Sequence, residues 1–384
     1  MANGHMEHDE LEAQALDIAR DHLLYDKSLR ELAVIYAASP STLHRRLAAW
    51  KKEGRFELLD RRMFSARIGS QDGVLQEELA RKTNLWRARV VRIEGVEHAA
   101  TPEYLDDPLT PSAITAFRAG DELHRALGTA AAELLLGSLK RHSHVAVASG
   151  RGAGFTVAAL EDLAARNPSW IRGLEGVRIE SLCGGGNVGT WATQVTRSLD
   201  ADQNAFALSN ILGVNRGHVE FMGGWIASRT LHRRRRTHGI DVALVGLGQV
   251  NTRHHFFHHH QEVHLGDMAE PLDRIHRLQM EDPSLISSVA EIAHTVFLVG
   301  KGPFPKELES AVQEVNEVTL TVAPERLTAA GEVILVAGGA QKVDSLRELL
   351  TGGCPGAPVD PSRITLVTDA ATAAGILSRL PRRD

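Results

Sequence analysis

Six histidines stand within residues 253–264, RHHFFHHHQEVH, and the pairs His254/His258, His255/His259 and His260/His264 are each four apart. On a helix such pairs share a face and could ligate zinc or nickel. No cysteine stands beside them to complete a ligand set, so the expectation is that no metal or other cofactor is held. A polar surface loop is the plainer reading of the same run. A second pattern is spread along the chain. The apolar runs VAVAS, ESLC, ALV, ILVA and ITLV end in Gly150-Arg151-Gly152, Gly184-Gly185-Gly186, Gly246 with Gly248, Gly338-Gly339 and Thr368-Asp369. Glycines there let a ligand come close to the backbone, and where a helix follows, its first N–H groups favour negative charge. The chemistry implied is the binding of a small, anionic molecule.

Those turns need a scaffold. The runs ARVVRIEGV, HVAVASG, VRIESLCGGG, DVALVGLGQ, TVFLVG, GEVILVAGG and RITLVTD alternate with longer helical segments, among them one around residues 123–139 and one after Gly154. Such alternation signals a parallel sheet covered by helices on both faces, with ligands gathering at the carboxyl ends of the strands. A doubly wound α/β domain over residues 63–384 is expected.

The front of the chain is built differently. Residues 27–56, KSLRELAVIYAASPSTLHRRLAAWKKEGRF, read as two short helices joined by a tight turn, the motif that presents its second helix to the DNA major groove. Leu29, Leu32, Ala33 and Tyr36 give the first helix one apolar face. Ser39 is placed to cap the second, with Pro40 at its first position, where the missing N–H costs nothing. Leu43, Leu47 and Trp50 then point inward, which turns Ser41, His44, Arg45 and Ala48 outward. Residues 10–24 add a helix at 3.6-residue spacing, Gly54 ends the second helix of the pair, and residues 55–62 suit a wing, giving a three-helix winged domain over residues 1–62. Between positions 41 and 62 there are seven Lys or Arg and three Asp or Glu, in a chain of net charge −5. A local basic excess matters more to phosphate contact than the overall charge does. The residues expected at DNA are Ser39, Ser41, Thr42, His44, Arg45, Arg46 and Lys51; the bland alternative is a helical hairpin packing on its own protein.

The chain has 384 residues and 43% hydrophobic content, enough for a small domain and a larger one. Without an apolar run of about 20 residues or an apolar leader, neither membrane span nor secretion is expected, so the expected location is the cytoplasm. The two cysteines, Cys183 and Cys354, lie far apart and read as small buried residues of a reducing compartment.

Taken together, LRELAVIYAASPSTLHRRLAAWKKEGRF, VAVASGRGAG, DVALVGLGQV, SVAEIAHTVF, VAGGAQK and ITLVTDAATAAGIL resemble, in order and spacing, the SorC family of bacterial transcriptional regulators. These join a helix-turn-helix to a sugar- or sugar-phosphate-binding domain related to sugar-phosphate isomerases. The resemblance implies that Gly150, Arg151 and Gly152 belong to an anion cradle, along with Gly185, Gly186 and Gly248. It further implies that Lys342 approaches the effector, that Glu291, on an acidic helix, accepts sugar hydroxyls, and that Gln194 plays a similar polar role. Asp369 either joins them or caps the final helix. The histidine run, just after a ligand-edge strand, then reads as a lid in which Arg253 and some imidazoles meet an anion.

Departures refine the expectation. Ala37 occupies a turn where glycine is usual, Arg46 replaces a common apolar residue, and SGRGAGF lacks the Gly-Arg-Thr order. Cys183 and Gly184 stand where some members carry a basic residue. A monophosphate or neutral sugar derivative is favoured over a bisphosphate. The expected partners are operator DNA, a small sugar or sugar-phosphate effector and further copies of the chain, as a dimer or tetramer. The competing class is a sugar-phosphate isomerase or deaminase carrying a DNA-binding head, and a third is a protein-interaction module.

Overall fold

A computed structural model describes residues 18, 29–52, 71–93, 111–171, 174–184, 200–222, 239–250 and 269–381. The chain divides into two compact units, residues 1–70 and 71–384. In the first, α1 (Leu29–Ile35) and α2 (Pro40–Lys52) are joined by a short turn. Leu32, Tyr36, Leu43 and Leu47 are buried, as is Ile18 from the segment ahead of them. The Ser39 hydroxyl accepts the Thr42 N–H at 3.1 Å, which caps α2. Ala37 holds φ 45°, the left-handed backbone that glycine adopts more readily. The wing at 55–62, and residues 10–24 apart from Ile18, lie outside the described residues.

The second unit is a mixed α/β body around a seven-stranded sheet. Its strands are β1 (Arg87–Val91), β2 (His144–Val147), β3 (Arg178–Ser181), β4 (Val219–Glu220), β5 (Val242–Gly246), β9 (Glu332–Val336) and β10 (Ile364–Asp369). They lie in the order β1-β10-β9-β5-β2-β3-β4, and every pair is parallel. Residues 144–147 and 364–369 are buried at every position, so both faces of the sheet are covered, as a run of apolar residues without alternation requires. The covering helices are α3 (Gly73–Lys82), α4 (Pro111–Ser138), α5 (Arg151–Arg166), α6 (Ala201–Ile211), α10 (Val343–Leu350) and α11 (Ala370–Arg379). Strands β3 and β4 follow β2 on one side, whereas β5, β9 and β10 lie on the other. The direction of winding therefore reverses between β2 and β5, the place where open α/β sheets leave a crevice at their carboxyl edge.

A second, antiparallel sheet grows out of that edge. It consists of β6 (Gly248–Gln249), one residue beyond β5, with β7 (Val289–Ile292) and β8 (Thr295–Leu298), in that order. Helices α7 (Ala269–Glu281) and α8 (Lys306–Val318) pack beside it, and Val250, Leu272, Ile275, Val289, Val296, Leu308 and Val315 form its own small core. The short α9 (Pro324–Thr328) leads into β9.

Three expectations are corrected here. SVAEIAHTVF is not an acidic helix but the β7–β8 hairpin, and TVFLV is antiparallel rather than a member of the main sheet. The β-branched residues on both sides of Ala293-His294 satisfy a two-residue turn, and both turn residues take positive φ, 50° and 62°, as such hairpin turns demand. The helix after β2 starts at Arg151 instead of after Gly154. Gly152 thus lies in its first turn, where a Cβ would stand 2.8 Å from the Val336 carbonyl oxygen. Close approach to the neighbouring strand end, rather than a loop conformation, is what that glycine provides.

Candidate functional site

The carboxyl ends of β2, β5, β9 and β10, together with the β7–β8 hairpin, bring together residues from five segments. Gly150 follows β2 with φ 99° and begins α5 without a side-chain cap. The N–H groups of a helix's first turn have no partners inside the helix, so this start is a source of donors at the end of β2. Arg151 is the first helical residue.

Gly248 opens β6, just past the end of β5. A Cβ there would lie 2.4 Å from Glu291 Oε1 and 2.8 Å from its Cγ, so glycine is what admits the Glu291 carboxyl beside β6. The other Glu291 oxygen, Oε2, accepts the His294 N–H at 2.9 Å. Withdrawal from water pushes the Glu291 pKa up to about 7, against the opposing effects of that hydrogen bond and of the Lys342 charge. Replacing Gly248 with alanine is expected to expel the carboxyl and cost about 1–3 kcal/mol of stability, as overpacking does. Denaturant titration checks this; an unchanged midpoint would mean that Glu291 is loosely held.

Lys342 stands at the end of a 3-10 turn, Ala340–Lys342, that leads into α10. Desolvation lowers its pKa to about 8; Glu291 and Asp369 act to raise it and Arg151 acts to lower it. The four charged side chains therefore sense one another across segments far apart in the sequence. Gly339, φ 100°, begins this turn. Its N–H donates both to Asp369 Oδ2 at 2.9 Å and to Thr372 Oγ1 at 2.8 Å.

Asp369 proves to be a cap and a tie. Its Oδ1 accepts the Thr372 N–H at 2.9 Å at the start of α11, and Oδ2 accepts the Thr372 hydroxyl at 2.6 Å. A Cβ on Gly338 would fall 2.5 Å from the same Oδ2, so the β9 turn and the β10 end fit only with glycine there. Gln249 donates from Nε2 to the Gln341 carbonyl, fastening the β6 end to the Lys342 turn.

Of the residues expected at a ligand, Gly150, Arg151, Gly152, Gly248, Glu291, Lys342 and Asp369 lie at or beside these strand ends. Gly185, Gly186, Gln194 and the histidine run at 253–264 lie outside the described residues. The sequence reading missed Ser149 and His294, whose Oγ and Nε2 are 2.8 Å apart. It also missed Thr321, whose hydroxyl donates to the Ala293 carbonyl at 2.7 Å. The β-branched Ile292 and Thr295 on either side of Ala293-His294 were the available signal for a hairpin carrying a histidine at its tip. Cys183 and Cys354 are free thiols, and burial pushes both up to about 12. Among the described residues no cluster of three or more His, Cys, Asp or Glu could hold a metal ion, and no helix is long and apolar enough to cross a membrane.

On α2, Ser41, His44, Arg45 and Ala48 are exposed while Thr42 and Arg46 are partly buried. Ser39 hydrogen-bonds to Ser41 and Thr42. Lys51 is in the last turn; its side chain, like that of Trp50, lies outside the described residues.

No family model and no curated protein matches the sequence. Solved structures do. A DeoR family transcriptional regulator from Listeria monocytogenes is similar at 16% identity and a TM-score of 0.51, over 79% of this chain and 98% of that one. A structure described as the sugar-binding domain of a transcriptional repressor from Vibrio fischeri is similar at 17% identity and a TM-score of 0.50, over 80% and 98%. The full-length sorbitol operon regulator SorC from Klebsiella pneumoniae is similar at 16% identity and a TM-score of 0.47, over 96% and 99%. The second unit has the fold of the first two.

Proposed function

We propose that this chain, which shares its fold with regulator domains of the kind described as sugar-binding, is a ligand-responsive transcriptional regulator. Residues 63–384 bind a sugar, a sugar phosphate or a related small metabolite and carry the contacts between copies of the chain. Residues 1–62 form a winged helix-turn-helix that holds operator DNA. The boundary is placed where the helical, basic head gives way; the residues between 62 and 71 lie outside those described.

The observation that carries the reading is the meeting of Arg151, Lys342 and Glu291 beneath an uncapped helix start at the reversal of the sheet. Cations and the backbone amides of a helix start suit the anionic end of a sugar phosphate, and a carboxylate suits its hydroxyls. Asp369 shapes the wall and adds its charge to the Lys342 environment. Such a set binds a polar anion without needing to change it, which is what a sensor requires.

For the head, the exposed Ser41, His44 and Arg45 of α2 would reach base edges, with Thr42, Arg46 and Lys51 on the phosphates and Ser39 fixing the helix start. A homodimer or tetramer in the cytoplasm would set two such helices on paired half-sites. Effector and operator affinities are then linked, each changing the other by the same factor.

The reading is tested on the full chain. A panel of sugars, sugar phosphates and polyols is screened by thermal shift, since a ligand that binds only the folded state raises the melting temperature. A sugar phosphate is expected to give the largest shift; a panel with no shift rejects the sensing site. In a gel shift on an operator found by selection, Arg45→Ala is expected to lower affinity about tenfold or more. An unchanged titration would remove α2 from the DNA.

A further inference from the structure

We propose that Ser149 is a nucleophile with His294 as its base, and that the strand-end site opens small carboxylic esters that also carry an anionic group. The inference goes beyond sensing and rests on that reading only for the position of the anion-binding groups.

The separation of 2.8 Å between Ser149 Oγ and His294 Nε2 is within reach of direct proton transfer. The surroundings of the serine are those of an attacking group. It lies just past the carboxyl end of β2, and the next residue, Gly150, turns the chain at φ 99° into α5, a 16-residue helix with no side-chain cap. First-turn amides beside a nucleophile can receive the negative charge that develops on an attacked carbonyl oxygen. Cys183 donates from Sγ to the same Oγ at 3.5 Å, so of the two side chains it is the serine that faces the imidazole.

The histidine is held from both sides. It is 1% exposed and sits at φ 62° next to Ala293 at φ 50°, a backbone that side-chain-bearing residues adopt at a cost and that recurs at functional sites. Its backbone N–H is bound by Glu291 and the preceding carbonyl by Thr321, so the backbone of the hairpin tip is fixed. The neighbouring charges of Arg151 and Lys342 would hold the anionic end of the substrate.

In the tautomer protonated at Nδ1, Nε2 takes the Ser149 proton as Oγ bonds to the ester carbonyl carbon. The bond from that carbon to the alcohol oxygen breaks, and the alcohol leaves with the proton from Nε2. Water then attacks the acyl-serine and gives a proton to Nε2, which returns it to Oγ as the acid departs. The sum is ester plus water giving acid plus alcohol.

The test uses the full chain with p-nitrophenyl acetate and the singly charged mono-p-nitrophenyl succinate. Release of p-nitrophenolate is followed, and the acylated peptide is mapped by mass spectrometry. Acylation at Ser149 is expected, faster for the succinate than for the acetate, with the preference lost in Lys342→Met. Ser149→Ala should abolish it. His294→Asn, which tolerates the left-handed turn, should slow it about 100-fold. Absence of acylation, acylation only at other residues, or an undiminished rate in Ser149→Ala overturns the proposal, and the serine variant alone decides if the histidine variant does not fold. Should a sugar phosphate still raise the melting temperature while no acylation occurs, the nucleophile falls and the sensing reading stands. Acylation at Ser149 without any thermal shift upholds the nucleophile and rejects the sensing site.

Discussion

Lys342→Met is expected to weaken sugar-phosphate binding by about 10- to 100-fold, the loss of one charge-assisted hydrogen bond of about 1.5–3 kcal/mol. Methionine keeps an unbranched, apolar stem of similar length in place of the lysine stem, so packing changes less than it would with alanine. The ammonium is held in a poorly solvated place, where its pKa drops to about 8 while Glu291 and Asp369 oppose the drop. An incoming anion adds to that opposition, so binding and the charge of Lys342 favour each other. Operator affinity without ligand should be unchanged, because the substitution leaves the sequence of residues 1–62 as it is. Calorimetry with the ligand identified in the thermal-shift panel, beside a ligand-free gel shift, reads both quantities. Undiminished effector affinity would remove Lys342 from the site.

The second large effect is a pH dependence of stability that Glu291→Gln should erase. The Glu291 pKa rises from 4.5 in the free side chain to about 7 in the folded protein. Between those values the folded state keeps a proton that the unfolded chain has released, so stability is fully present below about 4.5 and declines as pH climbs through 7. At about 1.4 kcal/mol per pKa unit, that shift amounts to about 3 kcal/mol at most. Lys342 has the opposite sense. Its pKa falls from 10.5 to about 8, so the stability it contributes is present above 10.5 and is lost as pH drops through 8. Together the two groups place a minimum in the stability curve near neutrality. Denaturant titrations of both proteins at half-unit steps from pH 4.5 to 8 should show the wild type declining and the variant flat over the lower part of that range. Parallel curves would show that Glu291 is solvated after all. An anionic ligand that draws charge away from Glu291 should also bind more tightly as pH falls through 7.

Legibility in the sequence followed the range of the forces involved. The runs VALV, EVILV and ITLVTD could be placed as buried parallel strands because an apolar, β-branched segment without alternation has few other homes. The outward face of α2 followed from Leu43 and Leu47 one turn apart, and the Ser39 cap from its own local hydrogen bond. SVAEIAHTVF went the other way. Its Val289, Glu291, Ile292 and Val296 satisfy a helical spacing about as well as an alternating one, and the arbiter was a partner it could not reveal, the β6 edge at Gly248 and Gln249.

Residue types and local spacing thus determined a basic helical head, a parallel α/β body and glycine-lined strand ends, since each depends on side-chain character over a few positions. Which of those ends share a crevice was decided by the reversal of winding between β2 and β5, a property of strand order that no local pattern encodes. The same is true of Ser149 beside His294, 145 residues away in the chain, and of the burial that turns Glu291 and Lys342 from ordinary charges into shifted ones. Pairing, desolvation and charge coupling act through space, and only the folded chain brings those distances within their reach.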